Sequence, residues 1–219
     1  NIIQREQWGA DESITLMPET DDTVGTSTKT LADPEIKRII YTDKSGKKYK
    51  WPLEYAKKIK FIVMHFTGLT NEKPDIPKQE MQDIFRSHTL YRGWGDIGYH
   101  YVIDRQGNVY EGRKGGKGVI GGHATPINKV SIGISLMGNY DEEEIPGPML
   151  ASTIALLDQL SKEYKIDPVG RTRYKGKKYP NIQGHSDNSA KRDPGKYFDE
   201  KFPAIRNLVS FYRSKKSKD

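Results

Sequence analysis

The feature that most constrains this fold is an uninterrupted apolar run at residues 61–66, Phe-Ile-Val-Met-His-Phe. The rest of the chain is polar: 34% of its 219 residues are hydrophobic, and the mean hydropathy is −0.79. A short continuous apolar run in such a chain is typical of a strand that is covered on both faces. The run therefore predicts a central strand between two packed layers, with His65 near its end.

Helical and strand patterns alternate along the remainder of the chain. Glycine at position 107 predicts the turn of a hairpin, and Ile132, Ile134 and Leu136 alternate as the buried face of a strand. Strands interleaved with helices predict an α/β fold with a mixed central sheet flanked by helices. At this length we expect a single domain over residues 1–219, with a polar N-terminal excursion at about 11–50. The predicted helices cover 78–90, 149–164 and 202–212, and the predicted strands cover 61–66, 99–103, 109–111 and 131–137.

Two of the five histidines stand in contexts that favour a metal site. His65 ends the apolar run, and His185 is followed eight residues later by Asp193. Taken singly, each histidine is more commonly a packed or surface side chain. Two imidazoles and one carboxylate leave the fourth position of tetrahedral zinc open, which is typical of a catalytic site. Non-haem iron uses the same ligand set, but usually with the first histidine and the acid two residues apart, and Thr67 supplies no acid. Zinc is therefore favoured.

Three other side chains are candidates for the same site. Lys191 lies two residues before Asp193, where its ammonium would stabilise negative charge on an attacked carbonyl oxygen. The phenol of Tyr99 would donate to the same oxygen, and His123 lies in a glycine-rich loop that would line a pocket. Each also has an ordinary interpretation, as a surface lysine, a core tyrosine or a packed histidine. For the two remaining histidines, 88 and 100, packing is the favoured interpretation.

Charge and composition exclude several classes of function. The formal net charge is +7, with much of the excess in basic runs at 44–50, 171–178 and 213–218. Such charge attracts polyanions, but no nucleic-acid-binding motif accompanies it, so we predict no nucleic-acid partner. No apolar stretch approaches the ~20 residues of a membrane span, so no integral membrane segment is expected. The absence of cysteine excludes disulfides and thiolate ligands.

Several segments, taken together and in order, resemble the zinc-dependent N-acetylmuramoyl-L-alanine amidases of the type-2 amidase and peptidoglycan-recognition-protein superfamily. The resemblance covers residues 1–10 and most of 55–210, and several segments in one order are far more specific than any one alone. The matching segments are Ile62-Val-Met-His-Phe-Thr-Gly68, Gly93-Trp-Gly-Asp-Ile-Gly-Tyr-His-Tyr101, Val109-Tyr-Glu-Gly-Arg113, Gly122-His-Ala124, Ser131-Ile-Gly-Ile134, Gly184-His-Ser-Asp187 and Asp193-Pro-Gly195.

Position by position, the resemblance implies that one zinc ion is held by His65, His185 and Asp193. It also implies active-site roles for Tyr99 and Lys191. Members of the superfamily have either cysteine or aspartate as the third ligand. Non-catalytic recognition proteins typically lack that ligand, whereas all three are present in this chain.

Two further residues of the matching segments, His123 and Arg113, are expected to contact substrate. Cytoplasmic recycling members often carry a glutamate in the strand that here contains Ser135, and a serine cannot transfer a proton as a carboxylate does. The resemblance therefore implies the tyrosine and lysine version of the site. It leaves the proton donor to the leaving amine open between Lys191 and the attacking hydroxyl.

The implied activity is hydrolysis of the amide bond between N-acetylmuramic acid and L-alanine in peptidoglycan. The expected partners are peptidoglycan or a muropeptide and, through the basic charge, anionic wall polymers. Wall substrate and the non-methionine start at Asn1 lead us to expect an extracytoplasmic protein (periplasmic, wall-associated or secreted) whose leader was removed. The alternatives are a non-catalytic peptidoglycan-binding module and a metallohydrolase that acts on another peptide-like amide.

Overall fold

The computed structural model describes residues 1–15, 53–69 and 76–215. Most of the predicted excursion at about 11–50 falls outside these ranges, as do the basic run at 44–50 and the last residues of the basic tail. None of the described helices combines the length and the apolar character needed to cross a membrane.

Six of the eight described strands form one sheet, in the order β1-β4-β3-β5-β2-β8. Strands β3 and β4 form the antiparallel hairpin predicted from Gly107, whereas β2 pairs in parallel with both β5 and β8. The mixed central sheet is therefore confirmed, and β6 and β7 form a separate antiparallel hairpin. The strands are β1 Ile2–Ile3, β2 Phe61–Phe66, β3 Tyr101–Ile103, β4 Val109–Glu111, β5 Ser131–Leu136, β6 Arg171–Tyr174, β7 Lys177–Pro180 and β8 Ile182–Gly184.

Helices cover both faces of the sheet. On one face, side chains of β2 and β5 such as Met64 and Ile134 pack with buried residues of α3 and α5. On the other face, Phe85 of α2 packs edge-on against Trp8 of α1, their ring centroids 5.7 Å apart. Two covered faces explain why the central strand needs an uninterrupted apolar sequence. The helices are α1 Arg5–Trp8, α2 Pro77–Arg86, α3 Gly147–Glu163, α4 Lys196–Asp199 and α5 Phe202–Lys215.

Three sequence-based details need correction. Every residue of β5 is buried, because the sheet is covered on both faces, so the alternation of isoleucine and leucine does not define a single buried face. The helix predicted over 202–212 counts Leu208 and Tyr212 among its apolar residues, but they are 41% and 48% exposed, because only one side of α5 contacts the core. The helix predicted over 78–90 ends at Arg86 and continues as a single π-helical turn, Ser87–Tyr91.

A buried arginine fastens the N-terminal segment to the sheet. The guanidinium of Arg5 donates to Asp96 at 3.0 Å and to the carbonyl oxygen of Gly112, beside β4. It also lies over the rings of Trp8 and Phe85, 5.5 and 4.9 Å from their centroids. Because a buried charge is tolerated only when it is paired, this network fixes the position of residues 1–15.

Candidate metal centre

The carboxyl ends of two adjacent parallel strands bring the two candidate histidine ligands together. His65 is the penultimate residue of β2, and His185 directly follows β8. Register pairs Met64 with Gly184, so the next residue on each strand is a histidine at the same edge of the sheet. The two imidazole centroids are 4.7 Å apart. Both side chains rest on buried strands, which are the rigid supports that metal ligands require.

Asp193 completes this cluster from the loop that follows His185. Its Oδ2 atom lies 3.0 Å from the Nδ1 atoms of both His65 and His185. Its Oδ1 atom accepts a hydrogen bond from the backbone N–H of Phe66 at 2.9 Å. The backbone N–H of Ser186 donates to the carbonyl oxygen of Asp193 at 2.9 Å, which closes the loop. The carboxylate is thus held against the end of β2.

The electrostatic environment keeps Asp193 and His65 in the protonation states that a metal requires. Burial opposes ionisation of Asp193, but the adjacent imidazoles of His185 and His65 outweigh it and lower the pKa of Asp193 to about 2. Burial also lowers the pKa of His65, despite the nearby carboxylate. At neutral pH, Asp193 is therefore ionised and the His65 ring is neutral.

The donor set and its spacing fit zinc. The two nitrogens and one oxygen all lie within 4.8 Å of one another. Ligand atoms in a tetrahedral zinc site, each ~2.0–2.1 Å from the ion, are roughly 3.3 Å apart, which is close to the 3.0 Å separations of Asp193 Oδ2 from each imidazole. His65, His185 and Asp193 are therefore the residues that would hold the ion, with one tetrahedral position left over.

A cleft extends on two sides of this cluster. One half, which we name the helix-side half, has a volume of about 480 Å³ and borders the end of α2. The other, the loop-side half, has a volume of about 530 Å³ and borders the loop that carries His123. Four side chains line both halves: Trp94, His123, His185 and Lys191.

Tyr99 and Lys191 both face the centre. The Tyr99 ring lies 5.0 Å from that of His65, and burial, reinforced by the charge of Asp193, raises the pKa of its phenol well above the ordinary value. Tyr99 is therefore a protonated donor at neutral pH. Lys191 is exposed on the loop between His185 and Asp193, and its positive charge contributes to the lowered pKa of His65.

The two expected substrate contacts, Arg113 and His123, both line the loop-side half. Arg113 donates from Nη1 to the carbonyl oxygen of Ile97 at 3.2 Å, and its Nε has no hydrogen-bond partner among the described residues. The ring nitrogens of His123 face His65 and Ser131 rather than the cleft, at 3.0 and 3.3 Å. His123 therefore presents only the edge of its ring to a molecule bound in the cleft.

Sequence reasoning did not assign the side chains that shape the helix-side half. His88, placed there by the π-helical turn, accepts a hydrogen bond from the N–H of Gly98, and burial lowers its pKa to about 3. Arg92 stacks on Trp94, 5.1 Å from the ring centroid. Trp94 lies in one of the segments that carry the family resemblance, and that segment is the sequence signal from which its place in the site could be predicted. His100 is packed as predicted, hydrogen-bonded to Gly133 N–H and Val119 O.

Comparison with known proteins supports the same superfamily. A family model described as N-acetylmuramoyl-L-alanine amidase matches residues 55–196. Peptidoglycan recognition protein 1 of Bos indicus is 31% identical over 173 residues, which cover 78% of this chain and 80% of that protein. The solved structure of the N-acetylmuramoyl-L-alanine amidase LysC from Clostridium intestinale is 31% identical, with a TM-score of 0.57, and covers 73% of this chain and 93% of that one. Drosophila PGRP-LB is 25% identical, with a TM-score of 0.61 and 92% of each chain covered.

Proposed function

This chain belongs to the N-acetylmuramoyl-L-alanine amidase family, and from that premise we propose that it is a zinc-dependent hydrolase of peptidoglycan. The bond cleaved would be the amide that joins N-acetylmuramic acid to the L-alanine of the stem peptide. One observation carries the proposal: His65, His185 and Asp193 converge within 4.8 Å at the junction of a two-sided cleft. A complete ligand set with a free tetrahedral position is the arrangement of a hydrolytic site.

Zinc bound by these three residues would supply Lewis acidity, which polarises a carbonyl group and lowers the pKa of water from ~15.7 towards ~7. The chain's own groups would then stabilise the reacting carbonyl. As water adds to the carbonyl carbon, negative charge develops on the carbonyl oxygen, and the Tyr99 phenol and the Lys191 ammonium would donate to it. Oxyanion donors of this kind contribute about 2.7–4 kcal/mol each to transition-state stabilisation.

Cleavage of the C–N bond requires a proton on the departing amine. We propose Lys191 as its donor, because an exposed lysine beside both halves of the cleft reaches either side of the scissile bond. The attacking water would lose one proton to solvent, and the Lys191 side chain would recover its own proton from solvent. Tyr99 is unsuited to this step, because burial holds its proton too tightly.

The two halves of the cleft suit a substrate that continues on both sides of the scissile amide, as a muramoyl peptide does. The guanidinium of Arg113, which lines the loop-side half, would donate to an acceptor oxygen of the substrate there. The edge of the His123 ring would provide an apolar contact in the same half. Arg92, stacked on Trp94, offers a second cation at the helix-side half.

Adsorption to anionic wall polymers would use a surface far from this cleft. A groove of about 630 Å³ is lined by four lysines, with Glu54 as the acidic side chain among its described lining. None of these lysines forms an ion pair with a described carboxylate. The groove borders the amino ends of β2 and β5, whereas His65 lies at the carboxyl end of β2, about 16 Å away along the strand. The lysines are Lys57, Lys58, Lys60 and Lys129.

Because the proposed substrate is wall polymer, we infer an extracytoplasmic location. A binding module without catalysis is the second candidate, favoured by the similarity to peptidoglycan recognition protein 1. A third is a metallohydrolase that acts on another amide.

Product chemistry separates the three. Purified sacculi are incubated with zinc-loaded protein, and soluble peptides and residual glycan are identified by mass spectrometry. Intact peptides with a free L-alanine amino group, together with peptide-free muramic acid chains, are the expected products. Binding without release of peptide would overturn the amidase proposal in favour of the module, and cleavage within the peptide would indicate a different hydrolase.

A further inference from the structure

A chain of hydrogen bonds runs from the metal centre into the core beneath it. The Nε2 atom of His65, on the opposite side of the ring from the Nδ1 that faces Asp193, lies 3.0 Å from Nδ1 of His123. Nε2 of His123 lies 3.3 Å from Oγ of Ser131, and that hydroxyl lies 2.8 Å from the carbonyl oxygen of Ile127. We propose that His123 is a positioning residue, which orients the His65 ring as a metal ligand through this relay.

The direction of the relay follows from its last member. A carbonyl oxygen only accepts, so the Ser131 hydroxyl must donate its single proton to Ile127. Ser131 Oγ therefore accepts from Nε2–H of His123. A neutral imidazole has one N–H, so Nδ1 of His123 is the acceptor for Nε2–H of His65. Nδ1 of His65 is then left with its lone pair, directed at the space shared with His185 and Asp193.

The fold holds the His123 ring in the position that this relay needs. Its ring lies directly on Gly133 of β5, where an added β-carbon would be 2.5 Å from Cγ of His123. A β-carbon at Gly121 would approach Cδ2 of the same ring to 3.0 Å. The side chain of Asn128 accepts hydrogen bonds from the backbone N–H groups of His123 and Ala124, at 2.9 and 2.6 Å. The ring is thus fixed by its surroundings on several sides.

The consequence is a ligand with little freedom to rotate. Metal-binding histidines generally donate their second ring N–H to a neighbour, and loss of that neighbour typically costs ten- to a hundredfold in metal affinity. Here the neighbour is a second histidine rather than a carboxylate. The inference rests on the proposed metal centre, but it assigns to His123 a task other than substrate contact.

Histidine ¹⁵N NMR of the zinc-loaded protein tests the proton arrangement directly. We expect His123 to be neutral with its proton on Nε2, and a scalar coupling between Nε2 of His65 and Nδ1 of His123 across the N–H···N hydrogen bond. A proton on Nδ1 of His123, or absence of this coupling in a sample whose other histidine couplings are resolved, would overturn the relay.

Zinc affinity, measured by chelator competition on folded protein, tests the energetic role. His123→Leu fills the niche without hydrogen bonds and should weaken zinc binding by about ten- to a hundredfold. His123→Gln supplies both an acceptor and a donor, so it should recover part of that loss. His100→Leu is the matched control: this buried histidine also contacts Gly133 and packs edge-on against the His123 ring, but it does not contact a ligand, and leucine fills its space. It should leave zinc affinity within about twofold.

The outcomes distinguish the relay from the proposed function. Wild-type affinity in His123→Leu would overturn the relay alone, as would equal losses in the leucine and glutamine variants. Failure of the wild-type protein to bind zinc would overturn the metal centre itself. Zinc binding without cleavage of sacculi would overturn the amidase proposal and leave the relay standing.

Discussion

The imidazole of His123 lies on Gly133 so closely that a β-carbon at position 133 would be 2.5 Å from Cγ of the ring and 2.7 Å from its Nδ1. Gly133 of β5 therefore leaves space for His123, the residue that supports His65, although glycine buries less apolar surface than the isoleucines beside it. The strand residue and the loop residue form one unit. A substitution at position 133 should therefore alter the metal centre through His123, although residue 133 contacts none of the three proposed metal ligands.

Gly133→Ala should lower both stability and zinc affinity. The added methyl group overlaps the buried ring, and overpacking of this kind typically costs about 1–3 kcal/mol of unfolding free energy. Urea unfolding and chelator competition measure the two effects. Gly122→Ala, in the loop that carries His123, is the control, because an added β-carbon there meets no atom within 4 Å. Equal behaviour of the two variants would contradict the packing of His123 on Gly133.

Removal of any proposed ligand should abolish amide hydrolysis and weaken zinc binding. In His65→Ala, His185→Ala and Asp193→Ala, the ion keeps only two protein ligands, so it is bound loosely and misplaced. Zinc content by mass spectrometry and release of peptide from sacculi are the measurements. Asp83→Ala removes an exposed carboxylate that lines the helix-side half but is outside the ligand set, and it should retain zinc. Full activity with stoichiometric zinc in His185→Ala would exclude this site.

The sheet, the family and the residues that converge at the edge of the sheet could all be predicted from the sequence, because the signals for them are local. Apolar runs and helical periodicity are local signals, so β2 and α3 are visible without the fold. His65 and His185 were identified because each stands beside a strand-like segment or a motif. The family resemblance is confirmed, and with it the mixed sheet.

Other features depend on contacts that no local pattern carries. The burial of both faces of β5 depends on helices far away in sequence, so alternation gave only one face. The π-helical turn that places His88 in the cleft breaks a helical pattern that continues through it. Likewise, the direction of the His123 ring is set by Gly133 and Ser131, which the sequence offered only as strand residues.

Asp199→Asn should stabilise the protein near neutral pH. Burial, together with the charges of Asp187 and Asp141, raises the pKa of Asp199 to about 6 from the ordinary 3.8. The folded protein disfavours ionised Asp199, so ionisation lowers the free energy of unfolding. This loss is absent below the ordinary pKa of 3.8, grows between pH 3.8 and about 6, and is complete above about pH 6.

The gain in Asp199→Asn should be below about 1 kcal/mol, because the side chain is only partly buried and solvent screens the repulsion. Thermal unfolding of both proteins at about pH 7 and about pH 3 measures it, and the difference should vanish at the lower pH. Glu200→Gln, which removes the neighbouring charge, is the control. A stability difference that is independent of pH would contradict the electrostatic explanation.

Adsorption to anionic wall polymers should depend on the lysine groove and on salt. Replacement of Lys57, Lys58 and Lys129 by glutamine should weaken binding to purified teichoic acid. The salt dependence of binding should also become less steep, because fewer cationic side chains pair with the anionic groups of the polymer. Cleavage of a small soluble muropeptide should be unchanged, since the groove lies at the opposite strand ends. A control with glutamine at three exposed lysines elsewhere, Lys78, Lys165 and Lys196, has the same net charge. Equal loss in both triple variants would show that net charge, rather than the groove, governs adsorption.

Lys191→Met separates metal binding from transition-state stabilisation. The side chain faces both halves of the cleft but is not one of the three converging ligands, and methionine keeps much of its length while removing the charge. Zinc content should therefore stay near one per chain, while kcat falls by roughly a hundredfold to a thousandfold, the range that follows loss of one oxyanion donor. KM should change much less, because the interaction strengthens only as charge develops on the carbonyl oxygen. Lys196→Met, on an exposed lysine outside the cleft lining, should behave as wild type. An unchanged kcat in Lys191→Met would reduce Lys191 to a surface lysine, and a loss of zinc would show that it supports the metal centre instead.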